Sequence, residues 1–250
     1  MMTRIPKRLK NAPLIEVVWQ CLFDDQSLAL PVGEAMVGIL YRELGGSRAG
    51  WQLHKLPTAF IPQPLPGDDP YLRYVAKYRI ESPSDPILYQ LGDRVVSVHC
   101  RRPYVGWSTF RGKITHVQRV FVQAGLIPGP TKHGLRYIDL IRAEDMPDLS
   151  GLRLHVQLGD HLLATEPLHL RVTLSYGGYQ HTLQILAPAE VELNQERLRG
   201  TLVDLETFAS GSDDWSTLAD ELDPLHTASI AMFFEQVLTQ ALVEKLEPEY

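Results

Sequence analysis

Residues 92–121 read "GDRVVSVHCRRPYVGWSTFRGKITHVQRVF", and the way this stretch divides decides the fold class. In its first part Val96, Val98 and Cys100 alternate with Val95, Ser97 and His99, the two-residue period of a strand. From Trp107 the period changes. Trp107, Phe110, Ile114, Val117 and Phe121 recur every three or four residues, one apolar stripe along a helix, with Arg111, His116 and Arg119 off the stripe. The glycine and prolines of "AGLIPGP" (124–130) end that helix.

Similar patterns extend outward on both sides. In "LIEVVWQCLF" (14–23), Ile15, Val17, Trp19, Cys21 and Phe23 share one face while Glu16 and Gln20 take the other, predicting a half-buried strand. "PVGEAMVGILYREL" (31–44) carries Val32, Ala35, Met36, Ile39 and Leu40 at helical spacing behind Pro31, and "GGSRAG" stops it. A proline-rich loop follows at 60–70. "YLRYVAKYRI" (71–80) and "PILYQLG" (86–92) predict a hairpin around "ESPSD", and "HGLRYIDLI" (133–141) a strand. In the C-terminal half, 168–188 predicts a hairpin turning at Tyr176-Gly-Gly-Tyr179. A strand over 197–210, an acidic loop over 211–223 and one long helix over 223–247 complete the chain. Asp223 caps that helix and Pro224 stands in its first turn. Its stripe is Ile230, Phe234, Val237 and Ala241, flanked by Phe233 and Leu238.

The expected fold is therefore α+β, in two lobes, each a mostly antiparallel sheet packed by a long helix. The lobes span 13–146 and 147–250, behind a basic arm at 1–12, with the boundary near 144–151. The order strand, strand, strand, helix occurs at 72–124 and again at 168–246, which predicts an internal duplication.

Totals narrow the function classes. Two cysteines, Cys21 and Cys100, make neither a disulfide framework nor a closed cysteine zinc site and suit a reducing compartment. No apolar run approaches the roughly 18 residues that span a bilayer, so a cytoplasmic protein without a membrane partner is expected. Dinucleotide, phosphate-loop, HExxH, GxSxG and CxxC motifs are missing. No cofactor and no metal site are expected, and the leaning is toward a non-enzymatic protein, although catalytic residues can also come from distant loops.

The opening "NAPLIEVVWQCLF", the central "YQLGDRVVSVHCRRPYVGWSTF", the strand "HGLRYIDLI" and a "LH" that opens the terminal helix together resemble a sporadically distributed family of uncharacterised bacterial proteins of about this length. The resemblance covers nearly the whole chain. It implies no activity, cofactor or catalytic residue. The patchy distribution implies an accessory role, such as a component of a bacterial defence or toxin–antitoxin system. "HCRRP" is more basic than the family pattern.

That basic character is local. Residues 92–142 hold nine Lys and Arg against two Asp, a balance of +7 in a chain of −6, so the remainder stands at −13. Arg101, Arg102, Tyr104, Arg111, Lys132, His133 and Arg136 are the candidate anion- or partner-binding residues. Guanidinium groups grip phosphates bidentately, and Tyr104 offers a ring for a base to stack on. Three outcomes stay open. The cluster pairs within the chain with the acidic stretch holding Asp213, Asp214, Asp220 and Glu221, it docks a protein or a second copy, or it binds nucleic acid. A pI near 5.8 weighs against the last. His99 and Cys100 point to opposite faces of their strand, so they form no nucleophile–base pair, and a core role is expected for Cys100. His99 lacks a nameable partner.

Overall fold

The computed structural model describes residues 4–23, 32–60, 72–127, 129–142, 149–163, 166–193, 196–210 and 214–250. In chain order the strands and helices are β1 (Arg8–Leu9), β2 (Leu14–Leu22), α1 (Val32–Glu43), β3 (Gln52–Lys55), β4 (Tyr78–Glu81), β5 (Ile87–Leu91), β6 (Val95–Arg101), α2 (Trp107–Ala124) and β7 (Lys132–Arg142). There follow β8 (Val156–Leu158), β9 (His161–Leu163), β10 (Leu168–Tyr176), β11 (Tyr179–Leu193), β12 (Glu196–Ser210), α3 (Leu218–Ala231), α4 (Gln240–Lys245) and β13 (Pro248–Glu249). The fold is α+β. Nine strands form an antiparallel sheet in the order β10-β11-β12-β7-β2-β6-β5-β4-β3, and β1–β13 and β8–β9 are two-stranded pairs. Among the described residues, no helix is long and apolar enough to cross a membrane.

The chain divides into two units. One contains residues 16–135 and 208–223, the other 1–15, 136–207 and 224–250. The expected boundary at 144–151 falls mostly on residues outside the described set, as do Pro31 and the proline-rich loop from residue 61 onward.

In the unit holding 16–135, alternation on β2 works as read. Val17, Trp19 and Cys21 are sealed from solvent, and in register on β6 so are Cys100, Val98 and Val96. β5 continues the face with Ile87, Tyr89 and Leu91. Helix α2 lies against β6 and α1, and α1 lies against β5. The α2 stripe buries Phe110, Ile114, Val117 and Phe121 completely, about 2 kcal/mol of transfer free energy apiece. Gly125, at φ 61°, closes the helix by returning its N–H to the Phe121 carbonyl. The buried face of α1 is Val32, Gly33, Met36, Val37 and Leu40 rather than one through Ala35 and Ile39. Gly33 is part of it because a Cβ there would sit 2.7 Å from the Gly92 carbonyl oxygen. The strand expected at 71–80 begins only at Tyr78, after a 3-10 turn over Leu72–Tyr74.

In the unit holding 136–207, β10 and β11 form the expected hairpin, closed by Gly177 and Gly178 at φ 57° and 85°. Leu183, Ile185, Ala187, Val203 and Leu205 make a core with Met232, Phe233, Phe234, Val237, Leu238 and Val243. The N-terminal residues pair here. Arg8–Leu9 ladder onto Pro248–Glu249, and Lys7 and Lys10 donate to the carbonyls of Glu249 and Glu247.

The C-terminal helix differs from expectation in both its start and its continuity. α3 begins at Leu218, inside the stretch read as acidic loop, and Pro224 lies within the helix. Leu218, Ala219, Glu221 and Leu222 are good helix formers, and Asp220 and Glu221 stand at the positive N-terminal end, so the helix tolerates a proline that denies the Asp220 carbonyl its donor. After α3 comes a π-helical turn, Met232–Val237, and then Leu238 is extended. Thr239 restarts the chain as the cap of α4, its hydroxyl accepting from Leu242 N–H while its own N–H and O–H donate to the Gly151 carbonyl.

Candidate interaction site in the basic segment

Arg101, Arg111, Lys113, His133 and Arg136 each meet an acid of their own chain. Arg101, at the exposed end of β6, reaches Glu81 on β4 (Nη1–Oε2 3.5 Å). Arg79 and His54 approach that same carboxylate at 3.8 and 3.6 Å. Arg102 is half-buried and precedes a cis peptide to Pro103. Tyr104 is half-buried. Its ring meets Phe110 edge-on at 6.5 Å, and its hydroxyl is buried with no hydrogen-bond partner among the described residues. Burial pushes that phenol well above its usual pKa.

Arg111 projects from α2 and donates through Nη2 to the Ala219 carbonyl at 3.2 Å. Its Nε is 3.3 Å from Asp223 Oδ1, within ion-pair reach but too poorly aligned to be a hydrogen bond. Asp223 instead accepts from Trp107 Nε1 at 2.7 Å. Lys132 stands 3.4 Å above the Phe208 ring, a cation–π contact. His133 is only 1% exposed and gives Nε2 to Glu221 at 2.7 Å, leaving Nδ1 buried and unpaired among the described residues. Arg136, which belongs to the other unit, binds Asp204 with two parallel bonds, Nε–Oδ1 2.7 Å and Nη2–Oδ2 2.5 Å.

Of the acids expected to face the cluster, Glu221 does so and Asp223 beside it joins in. Asp214 turns back to cap Ser216, and Asp213 lies outside the described residues. Glu81 and Asp204 were not anticipated, because strand register, which sequence spacing does not reveal, brings them in.

Register also supplies the missing partner of His99. Ser97 Oγ lies 2.9 Å from His99 Nε2, and His99 Nδ1 lies 3.0 Å from Glu16 Oε1. With Nδ1–H donating to Glu16, Nε2 accepts the serine proton, which is the bonding order of a nucleophile, base and acid. Gln20 and Gln90 face Ser97 from the flanking strands. Ser97 is mid-strand between β2 and β5, so main-chain N–H groups around it serve the ladder, and the side chains in register with it are those two glutamines. Both cysteines are buried and free, with thiol pKa values raised by burial. Among the described residues, no three His, Cys, Asp or Glu side chains are grouped to hold a metal ion.

No family model and no curated protein matches this chain.

The buried His133 and His181 and the half-buried His116 give the protein a pH dependence of definite sign. Desolvation lowers the pKa of His133, against the opposing pull of Glu221, and it also lowers those of His116 and His181. The unfolded chain therefore binds more protons than the native one below about pH 6.5. Stability is constant from this source above that value and falls as pH drops below it, until the depressed native pKa values are reached. Urea midpoints measured at descending pH check this, and His133→Gln is expected to flatten the slope.

Proposed function

We propose that the chain is a non-enzymatic interaction module that binds a protein, either a different one or a second copy, and serves in the cytoplasm as a component of a bacterial defence or toxin–antitoxin system. The accessory role follows the family resemblance, and the binding role follows the side-chain arrangement. The observation that carries it is the internal use of the basic segment. Arg101, Arg111, His133 and Arg136 each lie within ion-pair distance of a carboxylate of this chain, so a polyanion would have to displace those acids first. A protein surface gains instead from exposed apolar side chains, and the β8–β9 hairpin offers Leu158 at 74% exposure and Leu162 at 56%. The repeated meander-then-helix order, β4-β5-β6-α2 and β10-β11-β12-α3, supports a duplication.

Fluorescence anisotropy of short single- and double-stranded DNA at low salt tests the reading. No titratable rise in anisotropy is expected. Binding that weakens about tenfold per few-fold rise in salt, and disappears in the Arg101→Glu/Arg102→Glu double variant, would make nucleic-acid binding the function instead.

A second reading, an enzyme acting on activated acyl or phosphoryl esters, is favoured by the Ser97–His99–Glu16 chain alone. A fluorophosphonate probe tests it by intact mass. Labelling abolished by Ser97→Ala and slowed by His99→Gln supports it, and an unlabelled protein at high probe concentration removes it.

A further inference from the structure

We infer that β10 is a docking edge for a second copy of this chain, paired antiparallel about a two-fold axis through Val172; the inference rests on the interaction-module reading and deepens it. β10 is the outermost strand of the large sheet, and among the described residues nothing hydrogen-bonds to its outer side. It is nine residues long, without proline, and its register with β11 runs unbroken by a bulge from Leu168↔Ala187 to Tyr176↔Tyr179. Arg171 is its only Lys or Arg. Edges of this length are normally blunted by bulges, prolines or several charges, because they template pairing with another chain.

The hairpin fixes which groups face outward. A two-residue turn closes at the hydrogen-bonded pair Tyr176↔Tyr179, so 174, 172, 170 and 168 also bond inward to β11. The N–H and C=O groups of His169, Arg171, Thr173 and Ser175 therefore point to the free edge. An antiparallel copy placed with Val172 opposite Val172 sets Arg171 against Thr173 and His169 against Ser175. Outward groups then meet outward groups, giving on the order of eight main-chain bonds. On the other face Leu170 meets Leu174 and Leu168 meets Tyr176, extending the apolar row that packs on the core of this unit. Centring the axis on Arg171 would oppose two arginines, a destabilising cross-strand pair. The symmetry is isologous and closes at a dimer.

Sedimentation equilibrium of the full chain, wild type against three variants of Thr173, tests this. Thr173 is exposed, and each variant loses the same hydroxyl contact to Thr182. Thr173→Pro removes one outward N–H without touching the β11 ladder and is expected to abolish the dimer. Thr173→Arg places like charges opposite Arg171 twice and is expected to weaken association about tenfold or more. Thr173→Glu creates opposite charges there and is expected to hold or tighten it. Hydrogen exchange on the wild type gives a readout free of mutation: the outward amides of 169, 171, 173 and 175 should gain protection as concentration rises. A wild type monomeric at every concentration, a dimer indifferent to all three variants, or concentration-independent exchange at those amides overturns the proposal. A monomer leaves a different protein partner in place, whereas DNA binding lost on reversing Arg101 and Arg102 overturns the module reading and leaves this edge standing.

Discussion

Arg136→Ala is expected to lower the unfolding free energy by about 2–3 kcal/mol, the largest effect of any charge removed from the basic segment. Asp204 is 7% exposed and takes two bonds from one guanidinium, so truncating Arg136 strands a buried carboxylate. Losing one partner of a fully buried pair costs about 3–5 kcal/mol; the lower figure reflects the 40% exposure of Arg136, which lets solvent screen the pair. Replacing both partners, Arg136→Met with Asp204→Leu, is expected to recover most of the loss, since no buried charge then remains. Arg101→Ala is the contrast. Its pair with Glu81 is longer and open to water, and its removal is expected to stay within about 0.5 kcal/mol. Urea denaturation of the four proteins decides the matter. An Arg136→Ala midpoint as mild as that of Arg101→Ala would mean that Asp204 does not depend on its guanidinium.

Gly200→Ala is expected to cost about 3 kcal/mol or more. A Cβ at that position would lie 2.1 Å from the carbonyl oxygen of Ile141 and 2.8 Å from its carbon. Those are main-chain atoms of β7 and have no rotamer to escape into, so β12 and β7 must part. The same substitution at Gly112 should have the opposite sign. That residue lies in the exposed middle of α2, nothing stands within 4 Å of its would-be Cβ, and alanine there is expected to stabilise by about 0.5–1 kcal/mol. Thermal melts of the two variants should therefore move to opposite sides of the wild type.

Much of the architecture was legible because the period of the apolar residues carries it. The alternation of Val17, Trp19 and Cys21 and the three-four spacing of Phe110, Ile114, Val117 and Phe121 depend only on which face is buried, and the paired glycines at 177–178 announce their own turn. The break at Leu238–Thr239 was not legible. The helical spacing of Ile230, Phe234, Val237 and Ala241 continues straight through it, and the cause is the Gly151 carbonyl, 88 residues away, which takes both donors of Thr239. Pro224 misled in the opposite sense, since its preference for a first turn yielded to packing around Leu218, Leu222 and Leu225, all fully buried. The candidate site follows the same division. The excess of positive charge is visible in the chain, but its engagement by Glu81 and Asp204 is not. The partner of His99 lies 83 residues upstream and is brought near by a ladder in which His99 opposes Val18 rather than Glu16.

The unit built from 1–15, 136–207 and 224–250 takes its pieces from three separated stretches of chain. During synthesis its earliest residues must wait, because Val237, Leu238 and Val243 fill its interior and leave the ribosome more than two hundred codons later. The unit around 16–135 can begin folding well before that. From the moment β10 is made until Val237–Val243 follow it, that strand would be exposed without its finished core, so a chain stalled late in translation is the species most exposed to sticking to its neighbours.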